Sequence, residues 1–277
     1  MKGVTLVIGS GSVKCAAALG VVRVLEREGI ELDRVVGTSA GSIYAALIAM
    51  GRDIDEIASL SERLWTREIT ARRMRGAFLK VMFPRLMRFD ERFGMLDDRL
   101  VMARLEAAFG DADIAETAIP LAITATDFFD GSQVILREGR IVDAIRGSLA
   151  IPYIFSPHRV GERVLIDGFM SDPMPVGAAI REGGGVIVAI GFDSAYQTRV
   201  STILRYAFQL SSIMSNNLLR SNFAFHNLAH HAEVIPVIPV FEGRIRLFDT
   251  ERLTEIIAAG ERAGEEQIEG IRSAVTP

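Results

Sequence analysis

The chain has 277 residues, 49% of them hydrophobic and 24% charged, with a formal net charge of −4, which suffices for a large α/β core and argues against a generic nucleic-acid partner. The single cysteine, Cys15, excludes an internal disulfide and a cysteine-rich metal site. No run of about 18 apolar residues is present, and the apolar start is broken at Gly9, too soon for a signal peptide. With no linker, repeat or low-complexity tract, the expectation is one domain over 1–277, soluble and cytoplasmic.

Val4–Ile8 is a continuous aliphatic run, the pattern of a strand covered on both faces in a parallel sheet. A Gly/Ser-rich loop from Gly9 to Cys15 follows, then helical periodicity over Ala16–Glu28, closed by Gly29. Arg34–Val36 reads as a second strand. It leads into Gly37-Thr38-Ser39-Ala40-Gly41 and then a buried helical run, Ile43–Met50. A serine between two glycines at a strand-to-helix turn is the arrangement of a nucleophile elbow, and the amides of the following helix add positive potential where an oxyanion forms. Ser39 is the candidate nucleophile, with Gly37 and Gly41 as the elbow glycines. The bland alternative is a small-residue turn that packs a helix on a sheet. The loop before it lacks the third glycine of a dinucleotide fingerprint and the Gly-Lys-Ser of a P-loop, so nucleotide binding is not expected.

Asp53 caps a helix, with Glu56 three residues on. Residues 63–92 are different: eight arginines and Lys80 alternate with Trp65, Phe78, Phe83, Phe89 and several methionines. Such a segment reads as a surface for anionic lipid headgroups or as a lid over an apolar site; it also reads as an ordinary helix face whose charges are solvated. A helix opens at Leu96–Asp98 and runs to Phe109. Leu121–Asp127 is a buried strand, and Asp130-Gly131 turns it into Ser132–Arg137. Asp127 is read as a turn cap and His158, after Pro157, as a turn residue. Val164–Ile166 is a strand that ends in Asp167-Gly168-Phe169. Val186–Phe192 is a further buried strand, Thr202–Leu219 an amphipathic helix, Val234–Val237 a strand and Glu251–Ile271 a final helix. Cys15 is read as a small buried residue whose place in the loop makes its thiol a probe of that loop.

In their order these motifs resemble the patatin-like phospholipases. The family's loop Gly-Gly-Gly-x-Arg-Gly aligns with Ser10-Gly11-Ser12-Val13-Lys14-Cys15, keeping the middle glycine, with Lys14 for arginine and three glycines replaced. Its Thr-Asp strand aligns with Thr126-Asp127, its Arg-x-Ser-x-x-x-Pro segment with Arg146 to Pro152, and its Asp-Gly motif with Asp167-Gly168, where Phe169 replaces a small residue. The resemblance implies a three-layer α/β/α fold with a mostly parallel central sheet and a lipid acyl hydrolase. It implies Ser39 and Asp167 as the catalytic pair, the amides of Gly11, Ser12 and Val13 as the oxyanion hole, and no metal or other cofactor. Non-glycine residues in that loop require negative φ or carry strain of about 1–3 kcal/mol.

A serine with an aspartate base is sound chemistry, because burial raises a carboxyl's pKa and makes it a better proton acceptor. The competing triad would use Asp193 with His226, His230 or His231, which fall in α/β-hydrolase order; these histidines read instead as the end of a long helix. The spaced pair His226 and His230 lacks the acid of a metalloprotease helix. The expected substrate is a phospholipid or other acyl lipid, with thioester or short-ester hydrolysis open. A lipid-binding or regulatory protein with silenced chemistry is the reading from another class.

Overall fold

A computed structural model describes residues 3–64, 66, 68–71, 82–83, 85–86, 90–193, 196, 199–229, 233–247 and 249–276. Strands β1 (Val4–Ile8), β2 (Leu32–Thr38), β3 (Leu121–Asp127), β4 (Gln133–Leu136), β5 (His158–Val160), β6 (Arg163–Ile166), β7 (Val186–Ile190) and β8 (Glu233–Val237) form one sheet. Its order is β5-β6-β3-β2-β1-β7-β8, with β4 also on β3. The central run β3-β2-β1-β7-β8 is parallel; β4, β5 and β6 pair antiparallel at one end.

The helices are α1 (Ala17–Arg27), α2 (Ala40–Ala49), α3 (Ile54–Leu64), α4 (Glu68–Ala71), α5 (Arg99–Phe109), α6 (Ile141–Ser148), α7 (Val176–Arg181), α8 (Ile203–Ala229) and α9 (Leu253–Val275). The β1 residues divide between two layers, as the two-residue period of a strand requires. Leu6 and Ile8 join the core under α1, α2 and α9, while Val7 joins a smaller one with Val176 and Ala179 of α7 and Leu219 of α8. Helices therefore cover both faces, and the central strands β1 and β7 are buried along their whole length. α2 is buried along its whole length, which explains its lack of a polar stripe.

Several elements differ from the sequence expectations. β2 runs two residues further at each end than Arg34–Val36, because parallel pairing with β1 and β3 continues past its apolar centre. A 3-10 turn over Ser12–Ala16 precedes α1. α2 begins directly after Ser39. His158 opens β5, which forms a hairpin with β6 around Gly161, whose φ of 57° suits a tight turn. α8 runs unbroken from Ile203 to Ala229, which joins the amphipathic stretch read over Thr202–Leu219 to the region of His226 read as the end of a long helix. Most of the basic segment 63–92 lies outside the described residues; of those described, Met82, Phe83 and Leu86 are exposed. Among the described residues, no helix is long and apolar enough to cross a membrane.

Candidate active site

β2 ends at Thr38 and α2 begins at Ala40, which leaves Ser39 alone in the turn. Its φ of 51° and ψ of −132° lie where L-residues are strained by about 1–3 kcal/mol. Packing enforces the turn. A Cβ on Gly37 would sit 2.6 Å from Cβ of Ala45, and one on Gly41 would sit 2.6 Å from the Gly9 carbonyl oxygen. The Gly41 contact also sets the elbow against the end of β1, where the Gly/Ser loop starts.

Every polar group of Ser39 is engaged. Its carbonyl accepts from the Ser42 N–H (3.0 Å) and hydroxyl (2.6 Å). Its N–H donates to Ser148 Oγ at 2.7 Å, and the Ser148 hydroxyl donates to the Thr124 carbonyl at 2.7 Å. Its own hydroxyl donates to Asp167 Oδ2 at 2.8 Å. Ser148 is the serine of the Arg-x-Ser segment, to which sequence reasoning gave no contact. The structure makes it the acceptor for the Ser39 amide.

Asp167 follows β6, and its N–H donates to the Ala150 carbonyl at 3.0 Å. Its Oδ1 accepts from the Phe169 N–H at 3.0 Å, which starts a 3-10 turn over Gly168–Met170. A Cβ on Gly168 would lie 2.5 Å from the Thr124 carbonyl oxygen, so only glycine lets this turn close on β3. Asp167 has no exposed surface, whereas Ser39 keeps 7%, so Ser39 is the member of the pair that reaches solvent. Burial pushes the Asp167 carboxyl up to about 7, while the Phe169 amide and Ser39 hydroxyl pull it partly back.

A second buried carboxylate, absent from the sequence reading, lies five residues on. Asp172 Oδ1 accepts from the Met174 N–H (3.1 Å) and from Asn222 Nδ2 of α8 (2.8 Å); burial raises its pKa to about 6. Asp127 is held as a turn residue, accepting from the Phe129 N–H at 2.9 Å and facing Arg163.

The Gly/Ser loop corrects one expectation. Ser12 has φ of 60°, so the strain of a non-glycine residue is carried, and its hydroxyl donates to the Leu247 carbonyl at 2.8 Å. The Val13 N–H donates to Ser12 Oγ at 2.5 Å and is therefore spent within the loop. The Ser12 amide takes no acceptor among the described residues, whereas the Gly11 amide interacts with the Cys15 sulfur. Gly11 is extended, and any side chain there would overlap the Phe192 ring. Lys14 Nζ donates to the Asp193 carbonyl at 2.6 Å and lies 5.9 Å from the Phe192 ring centre, tying the loop to the end of β7. Cys15 is fully buried, its thiol against the Gly9 carbonyl and its pKa raised by burial. It is not a usable labelling probe of the loop.

Of the triad alternatives, Asp193 is exposed. The side chain of His226, and all of His230 and His231, lie outside the described residues. His158 bonds Asp143 at 3.2 Å. Arg146 is buried, with Nε and Nη2 donating to Asp98 Oδ2 at 2.9 and 2.6 Å and Nη2 to the Ser156 carbonyl at 2.9 Å.

This is a largely parallel α/β fold with a serine elbow beside a buried aspartate. A family profile described as "Patatin-like phospholipase" matches residues 6–180, more than half of the sequence. The chain belongs to the patatin-like phospholipase family. An "Uncharacterized NTE family protein" of Mycobacterium tuberculosis is 28% identical over 192 residues, which are 69% of this chain and 49% of that protein. The "Uncharacterized protein YqhO" of Bacillus subtilis is 25% identical over 257 residues, with 84% of this chain and 86% of that protein covered. The chain thus spans about half the length of the mycobacterial relative. The crystal structure of VipD from Legionella pneumophila superposes with a TM-score of 0.54 over 97% of this chain and 67% of that one, at 15% identity, a likeness of fold.

Proposed function

We propose that the chain is a serine acyl hydrolase that cleaves ester bonds of phospholipids or other acyl lipids through Ser39 and Asp167. The observation that carries this reading is the 2.8 Å hydrogen bond from the Ser39 hydroxyl to Asp167 Oδ2 at a strained strand-to-helix elbow. Ser39 Oγ attacks the ester carbonyl as its proton passes to Asp167. The oxyanion that forms is held by the Gly11 and Ser12 amides and by the amino end of α2, whose first turn carries no acidic residue. Asp167 returns the proton to the departing alcohol, then takes one from the water that hydrolyses the acyl-enzyme. The described apolar residues of the basic segment support its contact with an anionic membrane, where the substrate would reside.

A fluorophosphonate should label the native protein and spare Ser39→Ala; absence of labelling in both would discard the hydrolase reading. The Val13 amide held by Ser12 favours a second reading, a lipid-binding or regulatory protein with weakened chemistry. Labelling without measurable turnover on any acyl lipid would select it.

A further inference from the structure

The first half of α8 is turned the wrong way for a helix that only packs on a globular core. On its inner side Ser215 and Asn216 are 6% and 3% exposed, while on the outer side Tyr206 and Met214 are 58% and 47% exposed. Tyr206, Leu210, Ile213 and Met214 are all exposed, and their spacing puts them on one stripe of the helix. A contiguous apolar stripe of this kind on a protein surface marks a site of contact.

Charge selects the partner. The chain as a whole carries −4, yet no Asp or Glu occurs between Asp193 and Glu233, and Arg199, Arg205 and Arg220 are exposed along that stretch. Position gives the contact a purpose. α8 starts from the carboxyl end of β7, the same sheet edge at which β2 delivers Ser39. Exposed Phe129 and Val240 stand after the carboxyl ends of β3 and β8, on that same edge. Beyond the stripe, Asn222 fastens α8 to Asp172, five residues from Asp167. An interfacial helix needs an apolar stripe, flanking basic residues and too little hydrophobicity to span a bilayer. α8 has all three among its described residues.

We propose that this stripe of α8 lies on an anionic phospholipid surface, with Tyr206, Leu210, Ile213 and Met214 entering it and the arginines among the headgroups, so that the sheet edge bearing Ser39 faces the lipid. The proposal rests on the acyl-lipid reading for its purpose, although the binding itself requires no catalysis.

The test uses the full chain as Ser39→Ala, sedimented with phosphatidylcholine vesicles and with vesicles that also contain phosphatidylglycerol. Binding should require phosphatidylglycerol and weaken with added salt. The double variant Leu210→Asp/Ile213→Asp should lower affinity at least tenfold. Arg205→Gln and Arg220→Gln should each lower it about fivefold, from ~1 kcal/mol per basic residue at an anionic surface. Unchanged thermal unfolding midpoints would show that these surface variants are folded. No vesicle binding by the parent chain, or binding that all these variants retain, overturns the proposal. A dimer that Leu210→Asp/Ile213→Asp dissolves, without vesicle affinity, assigns the stripe to a second copy and overturns it equally. Fluorophosphonate labelling of the wild type is scored separately, so failure to dock is distinguishable from failure of the hydrolase reading.

Discussion

Asp167 ionises against the pull of its surroundings, and this has two consequences for the behaviour of the protein with pH. Its native pKa of about 7 stands above the ordinary 3.8, so between those values the folded chain holds a proton that the unfolded chain has released. Stability therefore falls as pH rises through that window. Asp167→Asn should be more stable than the parent at pH 8, by ~2–4 kcal/mol, and show little gain near pH 4; thermal melts at the two pH values decide it. In the proposed mechanism Asp167 accepts the Ser39 proton only when ionised, so kcat/KM should climb with pH to a plateau above about 7. Asp172→Asn should keep that limb, since Asp172 does not touch Ser39. Ser148 offers the other test at this scale. Ser148→Ala would strand the Ser39 N–H and the Thr124 carbonyl in the interior, a loss of ~1–3 kcal/mol. With the elbow less firmly held, kcat should drop more than KM changes, as steady-state kinetics on a soluble ester would show. A purely structural serine would lower the melting point alone.

Among the elements, the parallel strands were legible because burial on both faces writes itself as unbroken aliphatic runs, as in Val4–Ile8 and Leu121–Asp127. The amino end of β2 was not, since Leu32 is half-buried and Asp33 exposed, and both are held in the sheet by neighbours rather than by their own pattern. The β5–β6 hairpin escaped for a related reason: three-residue β5 has no buried residue to mark it. Packing between helices was also invisible in sequence. α1 and α9 meet closely at Gly20 and Gly260, where any side chain on Gly260 would run into the Ala17 carbonyl. Gly260→Ala should cost about 1–3 kcal/mol through overpacking, read as a lower melting point, while fluorophosphonate labelling of the surviving folded protein persists.

For the molecule as a whole, the proposed nucleophile could be read locally, since Gly-x-Ser-x-Gly is contiguous, but its hydrogen-bond partner could not. Ser39 and Asp167 stand 128 residues apart, and only the ordered resemblance of motifs joined them. The sheet does this physically, delivering β2 and β6 to either side of β3, where Thr124 pairs with Thr38 and the Thr126 hydroxyl donates to the Asp167 carbonyl. The described residues that flank the stretch between α4 and α5 are fastened separately on its two sides. On one side Arg104 holds the Thr66 hydroxyl and Glu68, each at 2.8 Å. On the other, the Met95 and Leu96 amides donate to the Tyr153 and Ile154 carbonyls at 3.0 and 2.9 Å, with Asp98 on Arg146 just beyond. A chimera in which the intervening arginine-rich sequence is exchanged should therefore keep the melting point of the parent, because the fastenings on both flanks are retained.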